Sequence, residues 1–374
     1  MAIGISGSNG GITPNQKKIL VNDLQYEIFT RKYPYPMEVS FFINNICNLR
    51  CQHCYVAYEE NHNALSTEKW KKVFDELILM GALTFGNVGK EPTLDWDKTK
   101  ELLFYFKKKR QSVPKLRFGF VTNGTLLDNQ KIEDIEKIQP NYIDISLDGT
   151  KNIHDYIRGI GNYDRTIDSL KTMSKYKIIN KVFVSFTANK LNLPTIVKLI
   201  DILYRLGVKN ILLSPYVTLD KTEELYLLDE EFVRWIDGLL SGNVIDFCKY
   251  QGLNIYIKSD YITTPNLMGE FLQKRIIDKH NLFVDDYGVI FNRYTFNGND
   301  IYFNYLPWDD FLVRAIRISH DGYVSNCFDM FFPEYPERAI GNVQTQPIKD
   351  IIKCSVVPNS QPINHFKQKT PIAY

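Results

Sequence analysis

The sequence predicts an α/β protein: a partial (β/α)6 barrel of parallel strands with a smaller α+β C-terminal extension. Three observations predict it. From Met37 to Pro215, short apolar runs rich in β-branched and aromatic residues alternate with amphipathic segments of helical period. That rhythm stops after Pro215. The chemically unusual residues fall just after the predicted strands, where folds of this kind gather their working groups.

The elements follow in order. MEVSFFINN (37–45) reads as the first strand. In STEKWKKVFDELILMG, residues Trp70, Val73, Phe74, Leu77 and Ile78 share one helical face; Ser66 or Thr67 can cap its start and Gly81 its end. The cycle repeats as strand 82–88 and helix 95–110, strand 116–124 and helix 130–138, strand 142–149 and helix 163–176. Strand 181–189, helix 192–207 and a sixth strand, 209–215, complete it. Buried, β-branched strands joined by helices argue a parallel sheet. Beyond Pro215 a long helix is expected through 229–250, then an aromatic, Asn-rich region over 281–308. FLVRAIRISHDGYVSNCF reads as two strands turning at Asp321-Gly322. The expected organisation is an arm (1–36), a barrel domain (37–215), a substrate-side extension (216–354) and a loose polar tail (355–374).

Composition narrows the function classes. The 374 residues carry a formal net charge of +2, so a nucleic-acid partner is not expected. The basic run Lys107 to Arg110 ends a predicted helix and reads as a solvated face. No run of eighteen apolar residues occurs, so no membrane partner is expected. The N-terminus is Gly/Ser/Asn-rich and lacks the pattern of a secretory signal. Six cysteines do not make a disulfide scaffold here, and their clustering points to metal or redox chemistry in a cytoplasmic protein.

Cys47, Cys51 and Cys54 lie in INNICNLRCQHCYVAY, directly after the first strand. A structural zinc site needs four ligands, and His62 could be the fourth. A cubane iron–sulfur cluster is normally held by four thiolates. Three thiolates would leave one iron open for a ligand with N and O donors.

CNLRCQHC, with spacing C-x3-C-x2-C and His53 before the last cysteine, resembles the radical SAM enzymes. The resemblance implies a [4Fe-4S] cluster whose open iron chelates S-adenosylmethionine (SAM). One electron then cleaves the sulfonium to a 5′-deoxyadenosyl radical, which takes a hydrogen atom from substrate. VGKEPTL resembles the family's GGEP motif. It would set Gly89 close to the cofactor and Glu91 on the methionine amino group, with Lys90 standing where the family has glycine. VTNGTLL, with Asn123, matches the third strand end, and ISLDGT gives Ser146 and Asp148 as ribose partners. HDYIRG implies Arg158 for the SAM carboxylate, and LLSP places Leu213 near the adenine. A flavodoxin- or ferredoxin-type electron donor is also implied.

RISHDGYVSNCF resembles the start of the SPASM or twitch extension of such enzymes, in which G-x4-C is matched by Gly322 and Cys327. The preceding cysteine and the later set are missing, so the extension is expected without its clusters. Cys248, Cys327 and Cys354 read either as small buried residues or as three converging ligands, and Cys327 as a candidate hydrogen-atom donor. Without a further cluster to accept electrons, a redox-neutral outcome is expected: epimerisation, rearrangement or elimination. The substrate is expected to be a small molecule or a peptide, because the segment before Met37 is too short for a leader-binding domain. Lys90, Asp309 and Asp310 are possible polar contacts. Two other readings stay open, a zinc-stabilised binding protein and a cluster-bearing pseudo-enzyme.

Overall fold

The computed structural model describes residues 36–54, 63–216, 222–259, 283–285, 287, 290–305, 315–325 and 339–355. The βα cycle runs β1 (Glu38–Phe41), α1 (Thr67–Leu79), β2 (Thr84–Asn87), α2 (Trp96–Ser112), β3 (Arg117–Thr122), α3 (Asn129–Ile138) and β4 (Tyr142–Ser146). It continues with α4 (Lys151–Arg158), α5 (Asn162–Met173), β5 (Val182–Ala188), α6 (Ile196–Arg205) and β6 (Asn210–Pro215). Then come α7 (Asp229–Leu240), β7 (Asn254–Ser259), β8 (Phe283–Val284), β9 (Ile290–Phe296) and β10 (Asn299–Tyr305). Last are β11 (Ala315–Ile318), β12 (Tyr323–Ser325), β13 (Gly341–Asn342) and α8 (Ile348–Ser355).

All the described strands belong to one sheet, in the order β13-β12-β11-β1-β2-β3-β4-β5-β6-β7-β10-β9-β8. From β11 through β1–β7 to β10 the neighbours pair parallel; the outer strands at both edges pair antiparallel. The strands after residue 216 therefore extend both edges of the barrel sheet rather than forming a sheet of their own.

Alternation along each strand sorts side chains onto two faces. On one face Phe41, Phe85, Phe118, Ile143, Ile145, Val184 and Leu213 join Trp70, Phe74 and Phe106 of the helices in the main core. On the other, Tyr142, Phe183, Leu212 and Tyr256 form a small cluster with Val121 and Tyr302. We refer to this as the inner face. Local signals set the ends of the helices. Ser66 accepts from Lys69 N–H at the start of α1, and Asp128 from Lys131 N–H at the start of α3.

The structure differs from the sequence reading in three places. The helix expected over 229–250 stops at Leu240; Gly242 turns with φ 75°, and a separate 3-10 turn at 247–249 starts where Asp246 accepts from Cys248 N–H. A short helix, α4, follows the fourth strand, which ends at Ser146 rather than at 149. Part of the aromatic region is the β9–β10 hairpin, turned by Asn297 at φ 48° and Gly298 at φ 76°. Asn-Gly is a strong hairpin signal, and it was legible in the sequence. The Asp321-Gly322 hairpin joins β11 to β12 as expected.

Candidate cofactor site at the strand ends

The loop after β1 carries the three cysteines and is held from several sides. Phe42 N–H donates to Ile318 O at 3.0 Å, and Glu91 N–H to Ile46 O at 3.0 Å. Gln52 N–H donates to Ile157 O at 3.0 Å, tying the loop to α4. Within the loop, Cys54 N–H donates to Cys51 O at 3.1 Å, and Leu49 N–H reaches the Cys47 sulfur at 3.4 Å. Cys51 is buried, and Cys47 and Cys54 are half-buried. Burial pushes the Cys51 thiol up to about 11 against the pull of the Arg158 charge, and burial also raises Cys47. Binding a metal centre here would therefore release protons.

A second layer comes from the ends of β2 and β3. Glu91 has no exposed surface. Its Oε1 accepts from Thr93 N–H at 3.0 Å, Thr93 Oγ1–H at 2.5 Å and Thr122 Oγ1–H at 2.8 Å. Its Oε2 accepts from Asn123 N–H at 2.8 Å. An ionised carboxylate has about four lone-pair sites, so Oε2 keeps acceptor capacity. Burial raises the pKa of Glu91, and these bonds oppose that rise. Asn123 Nδ2 donates to Asn48 Oδ1 at 2.9 Å, which links β3 to the cysteine loop. Glu91 also caps the 3-10 turn 92–95, so it does structural work whatever else it does.

The third layer is a buried network at the end of β4. Arg158 donates through Nε to Asp148 Oδ2, and its Nη1 lies 3.7 Å from the Cys51 sulfur. Its Nη2 stands 3.3 Å from His53 Nε2, which is itself 3.4 Å from Asp148 Oδ2. Asp148 Oδ1 accepts from Thr187 N–H at 2.8 Å, and Asp148 N–H donates to His154 Nδ1 at 3.1 Å. Burial alone would raise Asp148, but Arg158, and then His53, hold it below the usual carboxylate range. Burial lowers both His53 and His154 to about 4, so both rings are neutral near pH 7.

The residues expected from resemblance lie around the strand ends. Asp148 and Arg158 are engaged with each other and with the cysteine loop. A buried carboxylate needs a charged partner, and Arg158 supplies it. Ser146 is half-buried on the inner face. The Leu213 side chain packs into the helix-side core, so its backbone is what borders the strand end. At Gly89 an added Cβ would come within 2.2 Å of the Phe42 ring, which explains the glycine without a ligand. Lys90 adopts φ 51°, the left-handed conformation that glycine reaches at no steric cost.

Cys248 is exposed, accepts from Asn297 Nδ2 at 3.1 Å, and precedes β7, at the opposite end of the strands from Cys47, Cys51 and Cys54. Cys327, His62, Asp309, Asp310 and most of the arm and tail lie outside the described residues. Sequence reasoning missed Thr93, Thr122, Asn48 and His154. Thr93, two residues after a carboxylate and beside proline, carried a capping signal. The other three are joined only by tertiary contact.

Thiols are the donors an iron–sulfur cluster takes. Three thiols share one loop, and a guanidinium N–H approaches one sulfur. The buried His53 Nδ1 has no hydrogen-bond partner among the described residues. Among the described residues no three His, Cys, Asp or Glu side chains are grouped to hold a metal ion. No described helix is long and apolar enough to cross a membrane.

Comparison with known proteins agrees with the geometry. Residues 41–203 match the family model of the radical SAM superfamily. The chain is 34% identical over 160 residues to Fe-coproporphyrin III synthase of Methanosarcina barkeri, covering 42% of this chain and 38% of that protein. It is 33% identical over 162 residues to the subtilosin biosynthesis protein AlbA of Bacillus subtilis, covering 42% and 34% respectively. It thus spans well under half the length of these relatives. Among solved structures, SuiB of Streptococcus suis bound to S-adenosylmethionine superposes with TM-score 0.63 at 16% identity, over 88% of this chain and 68% of that one. An anSMEcpe structure with bound AdoMet gives TM-score 0.56 at 15% identity, over 85% and 80%. At such identities these two show a shared α/β fold. Residues 41–203 thus resemble the radical SAM superfamily, whose cofactors are a [4Fe-4S] cluster and SAM.

Proposed function

We propose that the chain is a radical SAM enzyme of the peptide- or natural-product-modifying type. The observation that carries this reading is one buried network. Three cysteines follow β1, and Arg158 bonds Asp148 while approaching the sulfur of Cys51. When bound, the cluster and SAM supply a 5′-deoxyadenosyl radical that takes a hydrogen atom from substrate.

The chain's own residues have separable tasks in this reading. Cys47, Cys51 and Cys54 hold the cluster. Glu91 Oε2 accepts from the methionine amino group, and Ser146 faces the ribose. Arg158 fixes Cys51 and Asp148, and His53 closes the network over the last cysteine. AlbA is named for bacteriocin subtilosin biosynthesis, SkfB for maturation of the sporulation killing factor and MftC as a mycofactocin maturase, which favours a peptide substrate. The missing cysteine set of the 216–354 extension supports a redox-neutral outcome, and a flavodoxin- or ferredoxin-type protein fits as electron donor.

Anaerobic reconstitution with iron and sulfide, followed by SAM and dithionite, tests the reading. About four irons per chain and 5′-deoxyadenosine formed by wild type but not Cys51→Ala are expected. Zinc retained in place of iron, or an iron-loaded protein that never cleaves SAM, would overturn it. About eight irons would overturn the single-cluster assignment.

A further inference from the structure

The candidate cofactor site occupies one end of the parallel strands. The other end, where strands begin and helices finish, is basic. Lys108, Lys137 and Arg205 stand in or just before the last turns of α2, α3 and α6. Lys175, Lys177 and Lys209 lie in the connections leading into β5 and β6. All of them are exposed. None pairs with a carboxylate of the described residues. The carboxylates at this end are engaged otherwise. Asp75 pairs with Lys109 and Asp246 with Lys249. Glu136 accepts from Ile178 N–H at 2.8 Å, and Asp201 from the Tyr250 hydroxyl. The helix macrodipole favours a cation at a helix C-terminus, which accounts for Lys137 and Arg205. It does not account for Lys177, which opens a 3-10 turn, or for Lys209, directly before β6.

These positions form one surface. Lys107 Nζ donates to Lys137 O, joining α2 to α3, and the bond from Ile178 to Glu136 joins α3 to the turn before β5. Phe183 of β5 pairs with Asn210 of β6, which sets Lys209 beside that turn. Apolar side chains adjoin it. Leu79, the last residue of α1, is 87% exposed, and Phe104, one turn before Lys108, is exposed as well. Asp75, one turn before Leu79, pairs with Lys109, so Leu79 borders the basic end of α2. Such a surface calls for an anionic partner, and its composition selects which one. Protein interfaces are depleted of lysine and enriched in arginine and aromatic residues, whereas this surface is mostly lysine. Single-stranded nucleic acid needs a series of stacking aromatics. Among the described residues the exposed aromatic side chains are Phe104 and Tyr156, and Tyr156 lies on α4. A duplex would leave Leu79 in water. Lysines around an exposed leucine match a bilayer surface, which offers diffuse negative charge and an apolar boundary beneath it. The formal net charge of +2 sums over both ends of the barrel and hides this concentration.

We propose that the strand-N-terminal end of the barrel docks on an anionic lipid bilayer, its basic side chains meeting the headgroups and Leu79 entering the acyl boundary. Docked this way, the mouth at the strand C-termini faces water and stays open to substrate. The surface lies apart from the cysteine loop, so this inference does not depend on the cofactor reading.

Co-sedimentation of the whole chain with sucrose-loaded vesicles tests it. The vesicles are phosphatidylcholine alone, or an equimolar mixture of phosphatidylcholine and phosphatidylglycerol. Wild type is expected to bind the mixture about tenfold or more tighter than phosphatidylcholine alone. That preference should vanish towards molar salt, where the Debye length falls to about 3 Å. Lys175→Glu, Lys177→Glu and Lys209→Glu combined should abolish the preference. Lys190→Glu, beyond the opposite end of β5, should keep it. Leu79→Ser should weaken binding to the mixture several-fold while leaving its salt dependence in place. Equal binding of both vesicles by wild type, or a preference that survives the triple substitution, overturns the proposal. Retention of duplex DNA or polyglutamate in place of vesicles would assign the surface to nucleic acid or protein and overturn it equally. Should the triple variant not fold, Leu79→Ser and the wild-type comparison of the two vesicles decide.

Discussion

The guanidinium of Arg158, at the last residue of α4, brings Nη1 to 3.7 Å from the sulfur of Cys51 while its Nε bonds Asp148. One side chain thus joins the loop after β1 to the end of β4. The two positions are 107 residues apart in sequence. The arginine also supplies the charge that lets Asp148 stay ionised without solvent.

Removing that charge should be expensive. Arg158→Met leaves Asp148 buried and unpaired, so a loss of about 3–5 kcal/mol is expected in urea unfolding of the iron-free protein. Adding Asp148→Leu to that variant should recover part of the loss. Full additivity of the two changes would mean that the pair is not coupled.

Glu91→Gln keeps the size of the side chain but turns an NH2 group towards N–H and O–H donors. About 1–3 kcal/mol of stability should be lost in SAM-free protein, with Thr122→Val losing about 1 kcal/mol. Circular dichroism during urea unfolding reads both. An unchanged midpoint in Glu91→Gln would show that the carboxylate bonds are dispensable for the fold.

Lys90 carries a side chain at φ 51°. Lys90→Gly should be more stable than Lys90→Ala by about 1 kcal/mol, because alanine keeps the steric cost that glycine lacks. Thermal unfolding of the two variants checks this. Equal midpoints would mean that the left-handed conformation is not strained.

His154 is held to about 4 by burial, with the Arg158 charge pushing the same way. Its ordinary value is about 6.5, so the unfolded chain binds the extra proton first as pH falls. The stabilisation is fully present above about pH 6.5 and drains away towards pH 4. His154→Gln should flatten the fall in the denaturant midpoint between those limits. A slope unchanged by the substitution would place the proton uptake elsewhere.

Much of the fold was legible in order along the chain. Helical spacing of Trp70, Val73, Phe74, Leu77 and Ile78 gave the first helix; the first four are buried in it and Ile78 is half-buried against the core. The run of strands from 37 to 215 and the Asp321-Gly322 turn appear where their patterns put them. The family signal was local too, because C-x3-C-x2-C sits on one loop and needs only sequence spacing to be recognised. Boundaries were less legible. The long helix over 229–250 was overrun because a glycine in the left-handed region and an aspartate cap outweigh continued helical propensity.

The roles of single polar residues came only from the tertiary structure. Sequence placed Asp148 and Arg158 by resemblance. Burial decided that they pair with each other, because two opposite charges removed from water must meet or neutralise. By itself, then, the chain determined the α/β rhythm and the three-thiol loop, whose signals are short-range spacings. The sheet order, the two added edges and the partners of each buried charge were decided by packing, because desolvation energies depend on contacts between residues far apart in sequence.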